Sequence, residues 1–166
     1  MKTFLREVLG TLLLAIAIFF LIQATVQSSV VVGCSMEPSL YNGQRLLISK
    51  IAYNSNLPQR GDIVIFDVPD LDKDIIHRIV GMPGELVEMR AGDIYIDGLK
   101  LEESYTQGNS ITRAAELVPE NHYYIVGDNR ATSRIDTVPL SDIVGKAWLS
   151  IWPIAEWGLA PNYSLP

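Results

Sequence analysis

The sequence contains a single cysteine, Cys34, and only two histidines, His77 and His122, among its 166 residues. One cysteine cannot form an intrachain disulfide, and it cannot supply the several thiolates of a cysteine-based zinc site. The scarcity of histidine has a second consequence. If the chain uses a histidine as a catalytic base, one of these two positions has to provide it.

Positive charge is scarce as well. Thirteen Lys and Arg residues stand against 19 Asp and Glu residues, which gives a formal net charge of −6. This balance argues against a protein that binds nucleic acid through its phosphate backbone. The chain also lacks internal repeats and low-complexity tracts, so its length predicts one domain with an appendage.

The appendage is an apolar segment near the N-terminus. Residues 8–26 carry no charge, and the length of this segment is close to the roughly 20 residues needed to span a bilayer. Lys2 and Arg6 precede this segment, and the next basic residue is Arg45. The positive-inside rule therefore predicts a cytoplasmic N-terminus over residues 1–7, a transmembrane anchor over residues 8–26 and an extracytoplasmic domain over residues 27–166. A cleaved secretory signal and a buried core helix are the alternatives.

The remaining sequence consists of short, β-branched stretches separated by Gly and Pro, which predicts a mainly β domain. The predicted strands lie at 30–33, 45–53, 62–68, 74–81, 86–90, 93–98, 122–128 and 146–153. In the stretch DIIHRIVG, alternation puts Ile75, His77 and Ile79 on one face of the strand. It puts Ile76, Arg78 and Val80 on the other face. A histidine between isoleucines is partly desolvated, which keeps it neutral, as a base has to be. The same position also suits a histidine that only fills the core.

A second candidate group lies in the stretch GCSMEPSL, residues 33–40. Gly33 permits backbone conformations that other residues resist, and Pro38 cannot donate a ladder hydrogen bond, so a strand should end just after Ser35. A serine at such a junction has free backbone N–H groups nearby, which are the components of an oxyanion hole. It becomes a nucleophile when a base takes its proton. Without a base, it is an ordinary turn residue.

Four stretches in this order resemble the motifs of type I signal peptidases, which are membrane-anchored serine proteases that remove signal peptides from exported proteins. They are GCSMEPSL, RGDIVIF, HRIVGMPGE and GDNRATS, and they follow one N-terminal span. The resemblance covers nearly the whole chain. It implies a mainly β catalytic domain of coiled, partly barrel-like sheets, with no metal and no cofactor. It also implies preprotein signal peptides and the lipid bilayer as partners, and we expect a monomer.

The resemblance assigns roles to individual residues. Ser35 corresponds to the nucleophile, His77 to the general base and Ser133 to the serine that orients the base. Four apolar residues match positions that line small substrate pockets and imply cutting after small residues at an Ala-x-Ala site: Val31, Met36, Leu40 and Ile76. Three charged residues match an ion-pair scaffold around the base: Arg78, Asp128 and Arg130. From the residues alone, the Gly-Asp-Asn-Arg stretch is either a turn or a buried ion pair.

Two positions depart from the bacterial pattern. Most bacterial members have lysine where this sequence has His77, and a histidine there resembles the endoplasmic-reticulum, archaeal and some Gram-positive members, which use a Ser/His pair. Ile135 stands where an aspartate is expected, and Asp136 comes one place later. Either Asp136 moves in to orient His77, or that support is lost.

Three alternatives remain open at the level of sequence. The altered base and fourth motif suggest a degenerate family member that binds signal peptides without cutting them. The stretch VVGC resembles a lipobox, which would make the chain a lipoprotein lipidated at Cys34. Cys34 is also a candidate nucleophile, because thiolates are intrinsically reactive, although a core or filler cysteine fits its position better.

Overall fold

A computed structural model describes residues 2–68, 73–109 and 112–163 of the chain. It begins with helix α1, Lys2–Thr25, which is about 36 Å long at 1.5 Å per residue. This length exceeds the roughly 30 Å of a bilayer core. By length and composition the helix can cross a membrane, and its most apolar window has no buried residue. Helix α1 ends at Thr25, and Val26, the last residue of the predicted anchor, begins the first strand.

Twelve strands follow in the described part of the chain. They are β1 Val26–Val30, β2 Arg45–Ser49, β3 Ile63–Val68, β4 Lys73–Gly81, β5 Leu86–Arg90, β6 Asp93–Ile96, β7 Leu99–Lys100, β8 Arg113–Leu117, β9 His122–Val126, β10 Ile135–Pro139, β11 Ile143–Trp152 and β12 Gly158–Leu159. Two 3₁₀ turns, Leu140–Asp142 and Ile154–Glu156, precede and follow β11. The prediction of a mainly β domain is therefore confirmed.

The strands form two antiparallel sheets. The larger sheet has the order β1-β2-β11-β3-β4-β9-β10, with β12 paired to β11. The smaller sheet has the order β7-β6-β5-β8 and is formed by the segment between the third and fourth motifs. Within the described residues the larger sheet ends at β1 and β10 without closing into a barrel, so the partly barrel-like expectation is met only by a curved, open sheet.

Strand β4 lies near the middle of the larger sheet, and its two faces contact different parts of the core. Ile75 and Ile79 pack with Phe66 on one side of the sheet. Ile76 packs on the other side with residues that follow β1, such as Met36. The predicted alternation along β4 is therefore correct, and it sets His77 and Arg78 on opposite faces of a buried strand.

Several strands differ from the prediction. Strand β1 ends at Val30, so the VVVG stretch is not a strand beyond that residue. Strands β8 and β10 are absent from the prediction. All five residues of β8 are exposed, so its sequence RAAEL carries no hydrophobic alternation to reveal it.

Candidate active site

Ser35 lies in a tight turn directly after β1. The turn is closed by a hydrogen bond from the Glu37 N–H to the Cys34 carbonyl, 3.3 Å long, and a second bond follows it, from the Leu40 N–H to the Met36 carbonyl at 2.9 Å. Gly33 has φ +91°, a conformation that side chains other than glycine rarely adopt, and it redirects the chain just before the turn. The Ser35 side chain is half-buried, and its backbone N–H has no hydrogen-bond partner among residues 2–68, 73–109 and 112–163.

Two hydrogen bonds from Asn129 hold the backbone around Ser35. The Asn129 N–H donates to the Ser35 carbonyl at 2.9 Å, and Asn129 Nδ2 donates to the Cys34 carbonyl at 3.2 Å. With both carbonyl oxygens bound on one side, the peptide planes of Cys34 and Ser35 are fixed. From the sequence alone, Asn129 is only a residue that favours a turn. Its position between Asp128 and Arg130, two residues assigned to the site, was the available signal.

Gly127 is the point where three elements of the site meet. It follows the last residue of β9, Val126, which pairs with Arg78, so Gly127 is next in register to His77. A Cβ atom on Gly127 would overlap the Ser35 carbonyl oxygen and lie 2.7 Å from Ser133 Oγ. Because Gly127 has no side chain, the turn that carries Ser35 and the side chain of Ser133 can both approach the sheet at the position where Gly127 lies beside His77. Ser35 Oγ and His77 form no hydrogen bond in this conformation, as far as the described residues go.

His77 is almost fully buried, with 2% of its surface exposed. Its Nδ1 atom is buried and has no hydrogen-bond partner within the described chain. Burial, together with the smaller effect of the positive charge of Arg134, lowers the pKa of His77 from 6.5 to about 4. The imidazole is therefore neutral at pH 7 and can accept a proton.

Asp136 forms no hydrogen bond with His77 in the described part of the chain. Its Oδ1 accepts a hydrogen bond from Arg134 Nε at 2.5 Å, and its Oδ2 is buried without a hydrogen-bond partner among the described residues. Arg134, in contrast, acts directly on the pKa of His77 through its charge. The fourth motif therefore places the charge of Arg134 near the base, and a role of Asp136 in orienting His77 stays a prediction.

Ser133 contacts backbone groups. Its Oγ accepts a hydrogen bond from the Gly127 N–H at 2.5 Å and donates to the Arg134 carbonyl at 2.8 Å. These two bonds fix the turn that carries Arg134. The assignment of Ser133 as the residue that orients the base stays a prediction.

The charged scaffold is built from two buried ion pairs. Arg78 and Asp128 have fully buried side chains and share two hydrogen bonds, of 2.9 and 2.6 Å. The Arg78 guanidinium carbon also lies 4.2 and 4.9 Å from the ring centroids of Tyr105 and Tyr163, two rings that stack on each other at 4.8 Å. Arg130 pairs with Glu103 at 2.6 Å, a partner that no sequence motif indicates. Each buried charge is therefore neutralised, as burial requires.

A cavity of about 180 Å³ opens beside Ser35. Three of the four predicted pocket residues, Val31, Met36 and Ile76, line it. The fourth, Leu40, packs with them in the core and does not line the cavity. The walls are mostly aliphatic, so the cavity suits small apolar side chains.

Cys34 differs from its expected setting. It is exposed, with Sγ 3.7 Å from Thr132 Oγ1, so the interpretation as a core or filler cysteine is wrong. The reason is the early end of β1, because the residues after Val30 leave the sheet before Cys34.

A model of the family described as signal peptidase, peptidase S26, matches residues 5–152. The chain belongs to the S26 signal peptidase family. Individual relatives span most of it. A signal peptidase I of Leptolyngbya laminosa is 36% identical and covers 78% of this chain and 71% of its own. A probable signal peptidase I-1 of Synechocystis is 31% identical over 97% of this chain and 89% of its own. Signal peptidase IB of Staphylococcus aureus is 28% identical and covers 95% of this chain and 94% of its own.

Among solved structures, the chain is similar to a crystal structure of a signal peptidase I from Enterococcus faecalis. The two are 31% identical, the match covers 54% of this chain and 95% of the other, and the TM-score is 0.45. Membership in the signal peptidase family identifies this protein as a serine peptidase that removes signal peptides. The unburied apolar helix α1 agrees with a membrane-anchored member of that family.

Proposed function

We propose that this signal peptidase cuts with a Ser35/His77 pair, in which Ser35 is the nucleophile and His77 replaces lysine as the general base. The main support is the arrangement around Gly127, which brings the Ser35 turn and Ser133 against the row of the sheet that carries His77. His77 is neutral at pH 7 and so can accept the Ser35 proton. Because Nδ1 is enclosed without a partner, the proton would go to Nε2.

The proposed reaction has two halves. Ser35 Oγ attacks the carbonyl carbon before the cut while His77 takes its proton, and the unpartnered Ser35 N–H stabilises the resulting oxyanion. The protonated His77 then donates to the leaving amine, which leaves an acyl ester on Ser35. Water attacks this ester with His77 again acting as base, and the mature protein and the signal peptide have separated. This route uses no metal or cofactor.

The proposed substrate is a preprotein with small residues at the first and third positions before the cut, of the Ala-x-Ala type. The cavity of about 180 Å³ beside Ser35 and its aliphatic walls support this preference. The basic residues Lys2 and Arg6, which lie in helix α1 before its uncharged stretch, support a cytoplasmic N-terminus and an extracytoplasmic site. We further propose that the chain acts as a monomer on the membrane surface.

The deciding experiment is cleavage of a preprotein bearing an Ala-x-Ala site by the detergent-purified chain. We expect the wild type to cut at that site, and Ser35→Ala and His77→Ala to be inactive. His122→Ala and Cys34→Ser are the matched controls, because they remove the second histidine and the neighbouring thiol, and both should cut. A wild type that binds the preprotein without cutting it would instead indicate that His77 is a lost base.

The pH dependence tests the base itself. Since the acid limb of kcat/KM reports the pKa of the base in the free enzyme, we expect activity to fall only as the pH approaches about 4. His77→Lys, which restores the residue of most bacterial relatives, should move this limb above about pH 7, because lysine starts near 10.4. An acid limb above about 8 in the wild type would contradict the Ser35/His77 pair.

A further inference from the structure

Among the described residues that line the cavity beside Ser35, one is charged, Asp74. The others are Val30, Val31, Val32, Ser35, Met36, Ile75 and Ile76. Asp74 lies two residues before Ile76 on β4, so both side chains project from the same face of the strand. Ile76 packs there against Val31 and Met36. The carboxylate therefore stands on the cavity side of the sheet, at the end away from His77.

The strand pairing places a second carboxylate directly beside the first. Asp67 on β3 is the register partner of Asp74, and both residues are exposed. Like charges opposite each other in an antiparallel pair are destabilising. Neither carboxylate forms an ion pair or hydrogen bond with any residue in 2–68, 73–109 or 112–163. Two such carboxylates, of which Asp74 lines the apolar cavity and Asp67 lies beside it in the sheet, attract a cation.

We propose that Asp74, together with Asp67, forms a subsite for a lysine or arginine side chain of the preprotein, a few residues before the cut. The proposal rests on the proposed function, in which the acyl side of the substrate occupies the cavity. It adds a charge preference to the preference for small residues. An acidic residue at the same substrate position would be disfavoured by the same two carboxylates.

The spacing along β4 gives the position of the cation in the substrate. Asp74 lies three residues before His77, which corresponds to about 10 Å along the strand. An extended substrate advances by the same distance per residue, so its fourth residue before the cut lies level with Asp74. The long side chain of a lysine at the fourth or fifth position can then reach the carboxylates.

The size of the effect follows from the exposure of the two carboxylates. Exposed ion pairs typically contribute enough for about a two- to fivefold change in an equilibrium constant. A lysine in the substrate gains this attraction, and a glutamate at the same position meets a repulsion of similar size. We therefore expect kcat/KM for the lysine substrate to exceed that for the matched glutamate substrate about tenfold. The preference should weaken as salt is raised, since screening affects exposed charges most.

The experiment is a competition between two preproteins in one reaction with the full-length enzyme in detergent. They share an Ala-x-Ala site and differ only in lysine or glutamate, first at the fifth and then at the fourth position before the cut. The ratio of the two cleavage rates gives the ratio of kcat/KM directly. It is measured for the wild type, for Asp74→Asn and Asp67→Asn, and for Asp97→Asn, which removes an exposed carboxylate from the turn between β6 and β7.

We expect a ratio near ten for the wild type and Asp97→Asn, and a ratio approaching one for Asp74→Asn. An unchanged ratio in Asp74→Asn would overturn the subsite. If the wild type cuts neither preprotein, the proposed function fails, and the subsite is then decided by binding. In that case the dissociation constants of the lysine and glutamate peptides are measured on Ser35→Ala, with and without Asp74→Asn. Tighter binding of the lysine peptide that requires Asp74 supports the subsite, and equal binding overturns it.

Discussion

The fourth motif divides into two halves that differ in burial and in the contacts they make. Its first half, residues 127–130, is buried apart from the half-buried Asn129, and it contacts both Arg78 and the Ser35 turn. Its second half, residues 131–136, is exposed or half-buried, and its ion pair joins two of its own residues, Arg134 and Asp136. The two halves are consecutive in the chain, yet only the first is bound to the rest of the domain by buried charges.

This difference indicates that the two halves have different roles. The first half fixes where the nucleophile turn and β4 lie, since each of its residues makes contacts that a substitution would leave unsatisfied. The second half sets the electrostatic environment of His77 through one exposed arginine, and such a contribution is small and adjustable. Substitutions in the first half should therefore affect folding and geometry, and those in the second half should affect pH dependence.

The largest expected effect is on stability. Asp128→Ala leaves the Arg78 guanidinium buried without its carboxylate, which should lower the free energy of unfolding by about 3–5 kcal/mol. Asp136→Ala, the matched change in the second half, should cost about 1 kcal/mol or less, because Arg134 is 49% exposed. Denaturant unfolding of the two variants in detergent measures both values. Equal losses would refute the contrast between the halves.

The second expected effect is on activity. Gly127→Ala places a methyl group where the Ser35 carbonyl lies, so the nucleophile turn has to move away from β4. A displacement of about 1 Å can reduce the rate about 100-fold, and we expect a loss of that order in kcat for preprotein cleavage. Gly158→Ala is the control, since a Cβ there meets no atom within 4 Å and the position has no positive φ. Full activity of Gly127→Ala would show that the contact does not position Ser35.

The two halves also differ in how far the sequence predicts them. The roles of Arg78 and Asp128 follow from the resemblance, and the facing of His77 follows from strict alternation on a buried strand. The clamp by Asn129 on Cys34 and Ser35 does not follow, because it joins segments distant in sequence and a Gly-Asp-Asn stretch also suits an isolated turn. The ion pair between Arg134 and Asp136 does not follow from the sequence either. The aspartate comes one place later than the family pattern expects, and a shift of one residue along a strand moves a side chain to the opposite face.

The third expected effect concerns stability against pH. Folding lowers the pKa of His77 from 6.5 to about 4. Between pH 6.5 and pH 4, the unfolded chain therefore binds a proton at His77 and the folded chain does not. The contribution of His77 to the free energy of unfolding is fully present above about pH 6.5 and decreases as the pH falls towards 4. When the pH is lowered from 7.5 to 5, the free energy of unfolding of the wild type should decrease by about 2 kcal/mol more than that of His77→Gln. His122→Gln serves as the control and should track the wild type, and a His77→Gln variant that also tracks it would contradict the buried, neutral histidine.

The smallest expected effect isolates the second half of the motif. Arg134→Gln removes the positive charge that lowers the pKa of His77, while burial, the larger cause, remains. The acid limb of kcat/KM should therefore move to higher pH, by less than one unit, because Arg134 is about half exposed and solvent screens it. Arg134→Lys keeps the charge and should leave the limb in place. If Arg134→Gln lowers the overall rate without moving the limb, Arg134 would act through geometry, and the second half of the motif would be part of the fixed scaffold after all.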